Sequence, residues 1–144
     1  MQVPPLTDLI PHQDGMCLLE HVLAWDDDSI ELATGTHRRS DHPLRRAGRL
    51  RAIHLCEYGA QAMAVHGALL ARQAGRTLTP GLLVALRAVA LHRDYVEDLP
   101  GELSVSARRL HAAGGTLQYE LRVAHAEALL AAGRAMVMET VPPF

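Results

Sequence analysis

The sequence has few aromatic residues and few cysteines. Its five aromatic side chains (one Trp, three Tyr and one Phe) are spread over 144 residues with a hydrophobic share of 49%. Ala, Leu and Val supply most of that share, so we expect helices and sheet to pack in tight layers rather than around a bulky core. The two cysteines, Cys17 and Cys56, lie in apolar contexts and do not make a disulfide framework. Both are predicted to be small buried hydrophobes.

The chain also lacks a large charge of either sign. Its formal net charge of −2 gives no bulk attraction to nucleic acid. The first residues contain no positive segment followed by an apolar one, so no secretory signal is predicted and the cytoplasm is the expected location. We find no internal repeat and no low-complexity tract. The length fits a single domain over residues 1–144.

The longest apolar stretch without proline runs from Ile53 to Ala71. As a helix these 19 residues would span roughly 28 Å. His54, Glu57 and Gln61 share one face, and most other positions carry Leu, Met, Val or Ala. A helix that is apolar nearly all round is predicted to be buried. A carboxylate on such a helix needs either a partner or a function.

A membrane span is the alternative for a stretch of this length. However, Glu57 and two histidines lie within it, and Arg49, Arg51 and Arg72 flank it. Ionisable residues inside a span are costly, so a helix of a water-soluble domain is the preferred interpretation.

The remaining segments are predicted to be strands. Met16 to Trp25 and Ser29 to Thr36 are interpreted as a hairpin across the turn at Asp26 to Asp28. Leu82 to Arg93 is a nearly continuous apolar run, which is typical of a strand covered on both faces. Three further strands follow, at Glu102 to Leu110, at Thr116 to Ala124, and in a last segment that ends near Thr140. The predicted class is α+β, with an antiparallel sheet of about five to six strands wrapped around one long central helix.

Three segments resemble the hotdog-fold 3-hydroxyacyl-[acyl-carrier-protein] dehydratases. The segment Pro11 to Val22, PHQDGMCLLEHV, is similar to the opening pattern of that family. His42-Pro43-Leu44 stands where the family has its catalytic histidine loop, and Glu57 to Ala64, EYGAQAMA, resembles the start of its central helix. The helix motif Glu-Tyr-x-Ala-Gln is most similar to that of a dehydratase-like subgroup found in aryl-polyene pigment clusters.

The resemblance implies a chemistry and a set of partners. Dehydration needs a base for the proton next to the thioester carbonyl, an acid for the departing hydroxyl, and donors for the enolate oxygen. By resemblance His42 is the base and Glu57 the acid, and the two come from different subunits. A homodimer, a heterodimer with another hotdog chain, or a higher oligomer is therefore expected. The substrate would be carried on the phosphopantetheine of an acyl carrier protein, with no further cofactor.

The chain departs from the family in the loop between the two catalytic candidates. The distance from His42 to Glu57 is 15 positions, one more than usual, and the glycines that flank this loop in the family are missing. Gly48 is the one loop glycine that could let backbone N–H groups approach a thioester. Gly48, Gln61, His54 and Tyr58 are the substrate-binding candidates.

Each candidate also has a plain structural alternative. His42 could be a solvated loop histidine, and Glu57 could simply complement the dipole at the start of the helix. Gln61 could bond the loop or cap a buried polar cluster, and His54 could lie at the rim of the site. His12 is expected to anchor the N-terminal segment. The histidines lack zinc-type spacing, so no metal site is predicted.

The segment from His37 to Arg51 carries six arginines. They could dock an acidic carrier protein or the pantetheine phosphate, or they could form a solvated, charge-balanced loop. Two other functions remain compatible with the sequence. One is an acyl-thioesterase that uses an acidic residue of the same helix and an activated water. The other is a non-catalytic partner subunit of a heterodimeric dehydratase, which the replacement of the glycine loop by arginines favours.

Overall fold

One antiparallel sheet of six strands carries one long helix. The structure is a computed structural model, and it describes residues 3–10, 15–76 and 81–139. The strands are β1 (His21–Trp25), β2 (Ser29–Thr34), β3 (Gly81–Leu91), β4 (Leu103–Ala113), β5 (Thr116–His125) and β6 (Ala128–Glu139). The helices are α1 (Leu6–Leu9) and α2 (Leu55–Gln73), with short 3₁₀ turns at Thr36–Arg38 and Ala52–His54. The predicted α+β class, with a sheet wrapped around one long helix, is confirmed.

The strand order is β1-β2-β4-β5-β6-β3. The long helix α2 lies between β2 and β3 in sequence and packs on the inner face of β2, β4, β5 and β6. The alternation predicted for β4 and β5 is confirmed, because Val105, Ala107, Leu121 and Val123 are buried on that face. The final segment, which its composition would also allow as a helix, is strand β6.

The first hairpin is shorter than predicted. Strand β1 begins at His21, and residues 16–20 form no regular ladder with β2. Backbone groups that leave a ladder need other partners, and side chains of α2 and β2 supply them for Leu18. The predicted role of His12 lies outside the described residues.

The prediction for Leu82 to Arg93 as a strand covered on both faces is wrong for this chain by itself. Strand β3 ends the sheet, and it pairs only with β6. Five of its large apolar side chains are exposed: Leu83, Val84, Leu86, Val89 and Leu91. Leu83 and Val84 are exposed by 47% and 42%, and the pairing with β6 is irregular between Leu83 and Ala85, which makes Val84 the extra residue of a β-bulge. The apolar run forms a strand, but nothing among the described residues covers it.

The helix approaches the sheet most closely at Gly59. A Cβ atom placed on Gly59 would lie 2.9 Å from Cβ of Leu121 and 3.0 Å from its Cδ1. Glycine is thus required at this point of α2 by packing against β5, although glycine weakens a helix by about 1 kcal/mol relative to alanine.

We predict that Gly59→Ala destabilises the protein, although helix propensity alone would stabilise it. The added methyl group overpacks the contact with Leu121, and the expected cost is about 1–3 kcal/mol in the free energy of unfolding. A double-mutant cycle with Leu121→Gly, which removes the Cβ atom 2.9 Å from the added methyl group, separates the two effects when it is followed by urea unfolding. The Gly59→Ala substitution should cost much less in the Leu121→Gly background. Equal costs in both backgrounds would contradict the packing explanation.

Candidate active site

His42 lies in a loop that is closed by local hydrogen bonds. Its residue is only 4% exposed, and its backbone N–H donates to the carbonyl of Arg39. Farther along the loop, Arg46 and Arg49 exchange both backbone hydrogen bonds. The two residues between them, Ala47 and Gly48, have φ of 52° and 76°. This is a two-residue hairpin turn of the type that needs a left-handed backbone at both central positions.

The hydrogen bonds of the His42 ring determine where its proton lies. The backbone N–H of Leu44 lies 3.1 Å from Nδ1 and can only donate, so Nδ1 is an acceptor without a proton. In a neutral imidazole the proton is then on Nε2. This Nε2–H donates to the hydroxyl oxygen of Tyr58, 2.9 Å away. The two rings are nearly parallel, at an interplanar angle of 20°.

The surroundings keep His42 neutral. Burial, together with the nearby Arg45 and Arg39 guanidinium groups, lowers the pKa of its ring from 6.5 to about 4. A protonated ring would also have to break the bond from Leu44, because both of its nitrogens would then be donors. At neutral pH the ring is therefore uncharged, with the proton on Nε2.

Tyr58 continues the chain of hydrogen bonds into the core. It is fully buried, and burial raises the pKa of its hydroxyl to about 12, so it keeps its proton. Having accepted from His42, it donates to Oγ1 of Thr36 at 2.9 Å. Thr36 in turn donates to the carbonyl oxygen of Leu18 at 2.7 Å, and Thr34 donates to the same oxygen at 2.6 Å. Every hydroxyl in this chain points toward Leu18.

Gln61 binds the backbone N–H of the same residue, Leu18, and also reaches Glu57. Its Oε1 accepts the N–H of Leu18 at 2.8 Å, and its Nε2 donates to the carbonyl of Met16 at 2.6 Å. The same Nε2 lies 3.1 Å from Oε1 of Glu57, one turn earlier on α2. Gln61 is fully buried, whereas Glu57 is half-buried. The amide therefore orients the carboxylate of Glu57 and ties the segment before β1 to the helix.

Four of the six predicted site residues belong to one network, namely His42, Glu57, Tyr58 and Gln61. Gly48 lies outside this network at the exposed tip of the loop hairpin, where an added Cβ would meet no atom within 4 Å. His54 is half-buried in the 3₁₀ turn before α2, and burial followed by Arg46 and Arg51 lowers its pKa. The roles predicted for all six stay predictions.

Sequence reasoning missed Thr34, Thr36 and the peptide of Leu18. Thr34 and Thr36 are two positions apart at the end of β2 and are both buried, so their hydroxyls reach the same carbonyl. Two threonines with this spacing beside an apolar segment were a usable signal for a buried polar cluster. The sequence contained no such signal for Leu18, because this residue joins the network through its backbone N–H and C=O and not through its side chain.

Away from this network, one group of side chains has the composition of a metal site. Carboxylate and imidazole atoms of Glu20, His21 and Glu102 lie within 4.8 Å of one another. All three residues are exposed, and Oε1 of Glu20 already accepts the N–H of Gly35. The group shares no residue with the network around Leu18.

Comparison with known proteins gives one family and one fold. The family model for ApeP-like proteins, described as ApeP dehydratase, matches residues 4–142. No curated protein matches the chain. Within the described residues, no helix is long and apolar enough to cross a membrane.

Solved structures with this fold include a dehydratase and a thioesterase. The dehydratase heterocomplex ApeI:P from Xenorhabdus doucetiae superposes with a TM-score of 0.86 at 20% identity, covering 97% of this chain and 93% of that chain. A hypothetical thioesterase from Streptococcus pneumoniae, solved with coenzyme A, has a TM-score of 0.62 at 11% identity, with coverage of 86% and 88%. The PaaI protein of E. coli has a TM-score of 0.62 at 12% identity, with coverage of 83% and 82%. At these identities the likeness is one of fold.

We predict that the protein becomes less stable as the pH falls from about 6.5 toward 4. Burial lowers the pKa of His42 to about 4, and it also lowers the pKa of His37 and His66. In this range the unfolded chain binds more protons than the folded one, so stability increases with pH and levels off above the ordinary histidine pKa. Urea midpoints measured across this range test the prediction. His42→Gln removes one of the histidines with a lowered pKa and should give a shallower dependence; an unchanged slope would contradict the assignment of a neutral, buried His42.

Proposed function

This chain belongs to the ApeP-like dehydratase family, and we propose that it removes water from a 3-hydroxyacyl thioester to give the trans-2-enoyl thioester. The proton next to the carbonyl goes to a histidine base, and the electron pair of that C–H bond forms the new double bond. The C–O bond at the third carbon breaks, and its hydroxyl leaves as water with a proton from a carboxylic acid. Glu57 is the acid in this proposal.

The contact that best supports the proposal is the hydrogen bond from Gln61 to Glu57. It gives a half-buried carboxylate a fixed orientation at the beginning of the long helix. The bond from His42 to Tyr58, the residue after Glu57, brings the histidine loop to the same end of α2. A carboxylate held in a fixed orientation at the start of the helix fits the acid that an elimination needs.

The open edge of the sheet supports a site shared between two chains. Strand β3 exposes large apolar side chains at the edge of the sheet, and an unpaired apolar edge strand invites pairing with another chain. We propose that a second hotdog chain, identical or different, covers β3. In this fold such pairing would bring the histidine of one chain to the acid of the other. The ApeI:P structure described above is a heterocomplex.

Two arginines are suited to contact an acyl carrier protein. Four of the six in the loop segment are used internally: Arg39 pairs with Asp41, Arg49 pairs with Glu97 and stacks on Tyr95, and Arg45 and Arg46 bond backbone carbonyls. The side chains of Arg38 and Arg51 make no hydrogen bond or ion pair among the described residues, and both residues are exposed. Arg51 also lines an open groove of about 250 Å³ with Ile53, Leu91 and Tyr95. We propose that these two guanidinium groups bind the phosphopantetheine phosphate or acidic side chains of the carrier.

A second candidate function, a subunit without chemistry of its own, is favoured by one observation. Both ring nitrogens of His42 are occupied within the chain, by Leu44 and by Tyr58. A subunit that only shapes a heterodimer would have no need of a reactive histidine. Glu57 distinguishes the two candidates, because a scaffold would not depend on its carboxylate.

We predict that Glu57→Gln reduces dehydration at least about a hundredfold, the usual contribution of a general acid. The protein would be incubated with 3-hydroxyacyl and enoyl thioesters on a carrier protein and followed by mass spectrometry. Loss or gain of water identifies a dehydratase, and release of free thiol identifies a thioesterase. Glu57→Gln keeps the acceptor for Gln61, so thermal unfolding should be little changed. Full activity in this variant would sink the assignment of Glu57.

We also predict that charges on β3 separate the two chains of the complex. Val84→Lys combined with Val89→Lys puts ammonium groups where apolar side chains would be covered, so the oligomer should dissociate at micromolar concentration. Leu23→Lys is the matched control, since Leu23 is 58% exposed on β1 at the opposite edge of the sheet. Sedimentation of the two variants gives the answer. If Leu23→Lys dissociates the oligomer instead, the interface lies at β1 and the prediction is wrong.

A further inference from the structure

A general base needs a nitrogen lone pair that can face the substrate, and the ring of His42 has none to offer. Nδ1 has a lone pair, but the N–H of Leu44 occupies it at 3.1 Å. Nε2 carries the proton and donates it to Tyr58 at 2.9 Å. In this arrangement the ring can accept no proton at either position.

The hydrogen-bond chain beyond Tyr58 cannot free Nε2 by passing the proton on. Tyr58 already donates to Thr36, and Thr36 already donates to the carbonyl of Leu18. Passing the Nε2 proton along this chain would end with a proton on the carbonyl oxygen of Leu18, which is not basic enough to hold it. The direction of the chain is set at its other end, where the N–H of Leu44 makes Nδ1 an acceptor and leaves the proton on Nε2.

The loop around His42 is held in the same arrangement by other contacts. Arg45 donates to the carbonyl of Gly48 and to that of His37, on the far side of the loop. His42 itself is bonded through its backbone as well as through both ring nitrogens. A swing of the ring toward a substrate would break both hydrogen bonds of the ring nitrogens and expose the hydroxyl of Tyr58.

The same chain contains a second Tyr–His pair that is plainly structural. Nε2 of His66 donates to the carbonyl of Asp26 at 2.8 Å, so its Nδ1 accepts the hydroxyl proton of Tyr119 at 2.6 Å. His66 is fully buried between α2 and the β1–β2 turn. Here too both ring nitrogens are filled and the imidazole joins a helix to a neighbouring segment. The pair of His42 and Tyr58 has the same character.

Glu57 differs from His42 in this respect. Its carboxylate is half-buried rather than enclosed, and the amide of Gln61 orients it. Of the two predicted catalytic groups, Glu57 is therefore the one that keeps its predicted role in this inference.

We propose that His42 ties the histidine loop to the long helix, and that the base for Glu57 is a histidine of a different hotdog chain. This inference rests on the proposed dehydratase function. A homodimer would then have no working base, whereas a heterodimer would have one productive site, formed by Glu57 of this chain and the histidine of its partner. The partner is defined by its chemistry, a hotdog chain with a histidine whose lone pair is open to the substrate.

The test compares the variants His42→Gln and Glu57→Gln. Each variant is expressed with an affinity tag in the native cells, and the complex that it forms there is isolated through the tag. Glutamine keeps an N–H donor for Tyr58, and His42→Asn, which keeps an acceptor for Leu44, is a second variant in case the first unfolds. We expect His42→Gln to stay within about threefold of the wild-type rate on a carrier-bound 3-hydroxyacyl thioester. The acid limb of its kcat/KM–pH profile, which reports the free base, should not move. Glu57→Gln should lose at least about a hundredfold.

The possible outcomes separate the inference from the function on which it rests. If both variants lose activity to the same extent, His42 is the base and the inference is overturned, while the proposed function stands. If neither loses activity, the assignment of Glu57 fails and the inference fails with it, although the complex is still a dehydratase. If the wild-type complex does not dehydrate the substrate, the proposed function fails, and so does the inference. A pure homodimer of this chain that turns over the substrate would also overturn the inference.

Discussion

The backbone hydrogen bonds of Leu18 are the contacts on which the rest of the site depends. The N–H of Leu18 is bound by Gln61 of α2, and its carbonyl oxygen is bound by Thr34 and Thr36 of the segment that ends β2. Buried backbone polar groups outside a ladder cost free energy unless side chains satisfy them, so these residues are constrained to be polar in an apolar layer. The same side chains then extend outward, Gln61 to Glu57 and Thr36 through Tyr58 to His42. The backbone of one residue thus fixes the orientation of both predicted catalytic side chains.

The direction of the hydrogen bonds matters more for function than their number. Because backbone N–H groups only donate and carbonyls only accept, the proton positions along His42, Tyr58 and Thr36 are determined without reference to any catalytic model. Burial keeps the histidine neutral, and the arrangement around it makes it a donor. In a dehydratase family this is an unexpected assignment for a histidine at this position. It agrees with a loop in which arginines and a tight hairpin replace glycines.

Much of the fold could be predicted from periodicity. The proline-free run from Ile53 to Ala71 gave the central helix to within two residues at either end, and the alternation around Leu121 gave β5. The burial of β3 could not be predicted correctly, since an apolar run indicates that a strand is covered but not which chain covers it. The pairing of Glu57 with Gln61 follows from their spacing on a helix. The role of Leu18 does not follow from any side chain, and the proton on Nε2 of His42 depends on a backbone contact two residues away.

The most direct test of this account is the position of the proton on His42. Spectra of the protein with ¹⁵N-labelled histidine, compared with those of His42→Gln to identify the ring, would show which nitrogen carries hydrogen near neutral pH. We expect a neutral ring with the proton on Nε2 and none on Nδ1, a state that persists as the pH is lowered through the range in which ordinary histidines become charged. A proton on Nδ1, or a ring that titrates near pH 6.5, would contradict the account, because either would leave His42 able to act as a base.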